Sequence, residues 1–153
     1  MRVFTPEEIG RFLGEVDAVL KAKVEIIVIG GAAAALCYGV RSGTVDIDTW
    51  TVVSRDLAQA VAHVRRKTGL PIPLSKSGVA DGPHDFESRL ERALPHLARL
   101  VVWVPERHDL ALMKMMRGDE HDLEAIEAIQ PTLDLEVLVE RFQQEMTAVV
   151  MAP

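Results

Sequence analysis

An unbroken, β-branched apolar run, Ile26-Ile27-Val28-Ile29, meets Gly30-Gly31 and then an alanine-rich stretch, Ala32–Tyr38. That pattern predicts a buried strand, a tight turn and a helix whose small side chains pack closely on a sheet, with Gly39 as its C-cap. A few residues on, apolar and acidic positions alternate through Val45-Asp46-Ile47-Asp48, with Trp50 and Val52 beyond. Successive strand side chains point to opposite faces, so Asp46 and Asp48 share one face and Ile47 takes the other.

Helical periodicity occupies much of the remaining chain. Thr5-Pro6-Glu7-Glu8 reads as a capping box ahead of Ile9, Phe12, Leu13, Val16, Val19 and Leu20, the inward face of a first helix. Ser54-Arg55-Asp56 caps another, which runs to about Thr68 with Leu57, Val61 and Val64 inward. Its Arg65-Arg66-Lys67 end complements the C-terminal dipole and reads as a solvated face. Gly69 to Pro83 is rich in glycine and proline; Ile72–Leu74 and Ser77–Val79 are expected there as short strands of an edge hairpin. Asp85 is expected to cap a short helix through Phe86, Leu90 and Leu94, ended by Pro95, and Leu97–Val104 reads as a strand. Pro105 opens a helix through Leu110, Leu112, Met113 and Met116, which Gly118 breaks. Asp119 caps a further helix with Leu123, Ile126 and Ile129 inward, ended by Pro131. Asp134 caps the last, with Leu135, Leu138, Val139 and Phe142 inward and Met146 nearby.

This order predicts the α/β (α+β) class: a small mixed β-sheet flanked by helices, with a C-terminal helical tail. The 153 residues read as one domain, its core at about 24–104 and its helical part at about 105–150.

Composition narrows the function. Hydrophobic residues make up 48% of the chain, which excludes a disordered one. A net charge of −6 and a pI near 5.3 argue against non-specific coating of nucleic acid, while leaving room for a local basic patch. Cys37 is the single cysteine, so no intrachain disulfide forms and a reducing compartment fits. No signal-peptide pattern and no bilayer-length apolar run is found, so a cytoplasmic location without a membrane partner is expected.

Candidate chemistry gathers around the glycine turn. Gly30-Gly31 at a strand-to-helix junction leaves backbone N–H groups for an anionic phosphate. Two carboxylates on one strand face beside such a turn, Asp46 and Asp48, can hold a divalent metal against a triphosphate. Lys114 interrupts a patch of leucine and methionine; it either supplies a cation for developing charge or lays its stem over the core with the ammonium in water. Arg41 is a phosphate contact or a solvated loop charge, and Thr44, like Ser42, either contacts nucleotide or satisfies turn backbone. Asp122 reads most simply as a first-turn helix acid. A dinucleotide-binding Rossmann domain is a weaker match, because Gly30-Gly31-Ala32 lacks the full glycine spacing.

The order strand, Gly30-Gly31, helix, Arg41-Ser42-Gly43-Thr44-Val45-Asp46-Ile47-Asp48 resembles the nucleotidyltransferase superfamily with the polymerase-β-type fold, and within it the bacterial AbiEii/MenT-like proteins of toxin–antitoxin and abortive-infection systems. The resemblance covers roughly Ile26 to Ile129 and includes His108-Asp109-Leu110-Ala111-Leu112-Met113-Lys114 and His121-Asp122-Leu123. It implies that the glycine pair and Asp46 and Asp48 bind a nucleoside triphosphate with two magnesium ions (Mg2+). Lys114 then contacts phosphate, and Asp122 completes the site. Where the superfamily usually carries a third carboxylate on a neighbouring strand, this chain offers Asp81; His121 stands where a Lys or Arg is frequent. The implied activity is magnesium-dependent transfer of a nucleoside monophosphate to an RNA or protein hydroxyl, within a toxin–antitoxin or phage-defence system and with a cognate antitoxin as partner. The alternative is a catalytically weak module of the same fold that binds nucleotide or a partner protein.

Overall fold

The computed structural model describes residues 2–78, 80–118 and 120–146, the side chains of residues 120–122 excepted. The expected class holds: helices flank a five-stranded mixed sheet, and a helical region follows it.

Helix α1 (Pro6–Val19) begins with the complete capping box: Thr5 Oγ1 accepts the Glu8 N–H, and the Glu8 carboxylate accepts the Thr5 N–H. Its buried face is Ile9, Phe12, Leu13 and Val16. Strand β1 (Val24–Ile29) runs straight into helix α2 (Gly30–Cys37), Gly30 taking a left-handed backbone, φ +67°. Strand β2 (Ile47–Thr49), helix α3 (Arg55–Thr68) and strand β3 (Leu74–Lys76) follow, then strands β4 (Glu91–Ala93) and β5 (Leu100–Val104). Helices α4 (Arg107–Arg117), α5 (Glu120–Ile129) and α6 (Leu135–Arg141) complete the order, and a π-helical turn, Phe142–Met146, extends α6.

The strand order is β3-β2-β1-β5-β4. β1 is central, parallel to β5 and antiparallel to β2, while the outer pairs are β2 parallel to β3 and β5 antiparallel to β4. Being covered on both faces explains why β1 is apolar without alternation from Ile26 to Ile29, with Glu25 exposed near its start. Ile26 and Val28 enter the main core with α1, α2 and α3, whereas Ile27 and Ile29 join Phe86, Met113, Trp50 and Trp103 on the other face. Asp17 near the end of α1 fixes the start of β5 by accepting the N–H groups of Ala98, Arg99 and Leu100 at 2.6–3.1 Å. Its partial burial opposes ionisation, but those three donors outweigh it and hold the carboxyl below its usual range.

Several expectations are corrected. Among the described residues of the segment 69–83 there is one strand, β3, on the sheet edge, rather than a hairpin; its parallel pairing with β2 follows from the α3 crossover between them. Val79, the end of the second expected strand, lies outside the described residues. Asp85 does not cap with its side chain; a 3-10 turn, Phe86–Arg89, is followed by β4, which replaces the expected helix through Leu94. The β5 strand begins at Leu100, Leu97 lying in the preceding turn. Helix α4 is capped by Glu106, whose carboxylate accepts the His108 and Asp109 N–H groups. Asp119, the expected cap of α5, lies outside the described residues. Of the apolar residues assigned inward on the last two helices, Ile129, Leu138 and Met146 are buried, but Leu123, Leu135, Val139 and Phe142 are exposed. Periodicity places apolar residues on one stripe of a helix, and it cannot say whether another element covers that stripe.

Candidate active site

The site forms where the C-terminal end of β1, the strand β2 and the helix α4 converge. Gly30 sits against Asp48: a Cβ built on Gly30 would stand 3.9 Å from Asp48 Oδ2. The next residue is tighter, because a Cβ on Gly31 would meet Thr44 Oγ1 at 2.9 Å. Thr44 is itself fixed, exchanging two backbone hydrogen bonds with Phe4 at 2.7 and 3.1 Å and donating its hydroxyl to the Asp46 carbonyl at 3.2 Å. The glycine pair thus lets the 44–48 segment lie against the start of α2.

Two cavities open beside Asp48. The larger, about 540 Å³, is bounded by Ile29, Gly30, β3 and the loop that follows it, with Met113 and Met116 from α4. The smaller, about 130 Å³, is bounded by Gly31, Ser42, Thr44 and Asp46. Asp48, Lys114 and Arg117 line both. A space of several hundred cubic ångströms suits a nucleoside-sized ligand, and the smaller space suits phosphate oxygens and an ion.

Burial, and after it the charge of Asp46, raise the Asp48 carboxyl above its usual range, against an opposing pull from Arg117, whose Nη1 lies 4.0 Å from Oδ2. A buried carboxylate raised in this way is relieved by a cation beside it. A pair of carboxylates completed by phosphate oxygens is also a donor set that magnesium accepts. Among the described residues there is no group of three or more His, Cys, Asp or Glu placed to hold a metal. The donors present therefore fit an ion that arrives with a phosphate ligand better than a resident metal in an all-protein cage.

The sequence matches a family described as "nucleotidyltransferase of unknown function" (DUF6036) over residues 10–152, nearly the whole chain. The chain belongs to this nucleotidyltransferase family. No curated protein and no solved structure matches it.

In this member of the family, the structure brings Gly30, Gly31, Thr44, Asp46, Asp48 and Lys114 to adjoining cavities and leaves Arg41 apart. Arg41 is not among the lining residues; its Nη2 bonds Glu7 of α1 at 2.6 Å, and both side chains are exposed. Lys114 is 3% exposed and lines both cavities, so it is not a lysine whose head reaches open solvent across an apolar face. The side chain of Asp122 lies outside the described residues. Asp81 lines the larger cavity, on the loop after β3.

Arg117, Ser75 and Lys76 are additions to the site that sequence reasoning missed. Arg117 had a legible signal, since it lies three residues beyond Lys114 and therefore on the same helix face. Ser75 and Lys76 sit in the Gly/Pro-rich segment, where no periodicity marks them.

A buried ion network sets the pose of α4. Asp109, fully buried, accepts two hydrogen bonds from Arg89 at 2.8 and 2.9 Å and a third from Arg141 at 3.1 Å. Arg89 also bonds Glu145 of the π-helical turn, and Arg141 bonds the capping residue Glu106. His108 Nε2 accepts the Asp134 N–H, so its proton sits on Nδ1, where it faces Glu106 Oε2 at 2.6 Å. Asp109 stands five residues before Lys114, and this clamp fixes the rotation that turns Lys114 and Arg117 toward β2.

Proposed function

We propose that the chain binds a nucleoside triphosphate as its magnesium complex and transfers the nucleoside monophosphate to a hydroxyl acceptor. The observation that carries this reading is the sharing of Asp48, Lys114 and Arg117 by two cavities beside the Gly30-Gly31 turn. The N–H groups at the start of α2 take phosphate oxygens, which that helix terminus favours. Asp46 and Asp48 hold the metal, which supplies charge neutralisation across the triphosphate. Lys114 and Arg117 stabilise negative charge that develops on the departing pyrophosphate. The nucleoside occupies the larger cavity, where Met113 and Met116 offer apolar, polarisable surface to the base. The acceptor is an RNA or protein hydroxyl, and a cytoplasmic toxin–antitoxin or phage-defence setting with a cognate antitoxin follows from the AbiEii/MenT-like resemblance.

Calorimetry with ATP, GTP, CTP and UTP, with and without magnesium, tests binding. Incubation with α-labelled triphosphates and cellular RNA or protein tests transfer. Magnesium-dependent binding and label transfer that both fall away in Asp46→Ala with Asp48→Ala are expected; transfer undiminished by that double change rules the reading out. A second reading, a nucleotide- or partner-binding module without turnover, is favoured by one observation: no three-ligand acidic group stands among the described residues. Binding without transfer would select it.

A further inference from the structure

We propose that the chain's own Ser75 is a nucleotide acceptor, so that the domain modifies itself within its larger cavity. The inference rests on the nucleotidyl-transfer reading above and deepens it by naming an acceptor.

Three observations carry it. In the parallel pairing of β2 with β3, Asp48 is the register partner of Ser75. Register partners on adjacent strands, about 4.8 Å apart, project from the same face of the sheet. Ser75 and Asp48 both line the larger cavity, together with Gly30, Lys114 and Arg117. Ser75 is also exposed, so its hydroxyl is open to a ligand lying over β2 and β3 rather than packed in the core. The strand position beside the carboxylate that meets the triphosphate is thus held by a hydroxyl, the group that nucleotidyl transfer consumes.

The step balances without an oxidant or reductant. Ser75 Oγ attacks the α-phosphorus of a bound nucleoside triphosphate and forms an Oγ–P bond. The bond from that phosphorus to the bridging oxygen of the β-phosphate breaks, and pyrophosphate leaves. The hydroxyl proton passes to Asp81, the second carboxylate lining this cavity besides Asp48. Lys114 and Arg117 balance the charge of the leaving pyrophosphate. The product, a phosphodiester on β3, fills the larger cavity and blocks another triphosphate, so self-modification shuts the site after one turnover.

The full chain is incubated with magnesium and each α-labelled nucleoside triphosphate, then analysed by intact mass and peptide mapping. The expected result is addition of one nucleoside monophosphate per chain, mapped to Ser75. Label falls to background in Ser75→Ala, whose fold is checked by circular dichroism, and persists in Ser75→Thr, which restores a hydroxyl. Mixing active chain with Asp48→Asn chain of distinguishable mass should label the active chain alone, because the acceptor belongs to the same cavity. Label on Ser77 or elsewhere, or on the Asp48→Asn partner, overturns the proposal. Triphosphate binding by the unaltered chain in calorimetry with no label on Ser75 overturns it while leaving the parent reading intact. Absence of triphosphate binding overturns both.

Discussion

At Gly31, a missing methyl group sets how closely two segments meet. A Cβ there would stand 2.9 Å from Thr44 Oγ1 and 3.1 Å from Thr44 Cβ, and Thr44 cannot retreat freely because Phe4 holds its backbone. Gly31→Ala should therefore leave the fold intact but push the Asp46 loop off α2, weakening magnesium–nucleotide binding about tenfold, roughly 1.4 kcal/mol; calorimetry checks this. Asp109 shows the opposite dependence, on a charge that is present and paired. Its carboxylate is fully buried between Arg89 and Arg141. Asp109→Ala leaves both guanidinium groups without that partner, and a loss of about 3–5 kcal/mol is expected in urea unfolding. Lys114 is the residue whose surroundings the sequence described least: a lysine among leucine and methionine reads as core filler or as ligand contact, and the structure adds that it is buried and lines both cavities.

Elements with local causes were legible in the sequence. The α1 capping box, the Ser54 cap of α3 and the strand-to-helix turn at Gly30 each depend on neighbours within four residues. Thr5→Ala should cost about 1 kcal/mol, measured as a lower urea midpoint at unchanged slope, because it removes an acceptor for the Glu8 N–H. Elements set by distant partners were not legible. β4 exists because Glu91–Ala93 pairs with β5, and its three residues carry too short a pattern to announce a strand. β3 borrows its conformation from β2 in the same way. In the site, Asp46, Asp48 and the glycine pair could be singled out because they cluster within twenty residues. Arg117 and Ser75 reach Asp48 only through the α4 pose and the β2–β3 register. The exposed Leu123, Leu135, Val139 and Phe142 mark the limit of periodicity as a guide to burial.

Across the whole molecule, two sets of carboxylates respond to pH in opposite directions. For Asp17, Glu106 and Glu145, burial favours the protonated form, yet hydrogen bonds from backbone N–H groups, His108 or arginine hold each carboxyl below its usual range. Their stabilisation is complete above ordinary carboxylate values of about 4 and is lost as pH falls through the lower folded-state values. Asp48 is raised instead, so its ionised form weakens the fold, and protonating it would remove one of the two carboxylates proposed to hold the metal. Asp48→Asn should thus raise the melting temperature of the ligand-free chain at pH 7, by up to about 1 kcal/mol equivalent. The same change should erase the rise that magnesium–nucleotide gives the unaltered chain, about 5–10 °C at a hundredfold excess over Kd. Equal melting temperatures for the two ligand-free proteins would contradict the burden assigned to Asp48. The Phe4–Thr44 bridge has a practical corollary as well. Val3 borders the smaller cavity, so a purification handle joined directly to the first residues would stand at its doorway and jostle the acidic loop. Assays run on such a fusion would underreport affinity, and cleaving the handle off should restore it.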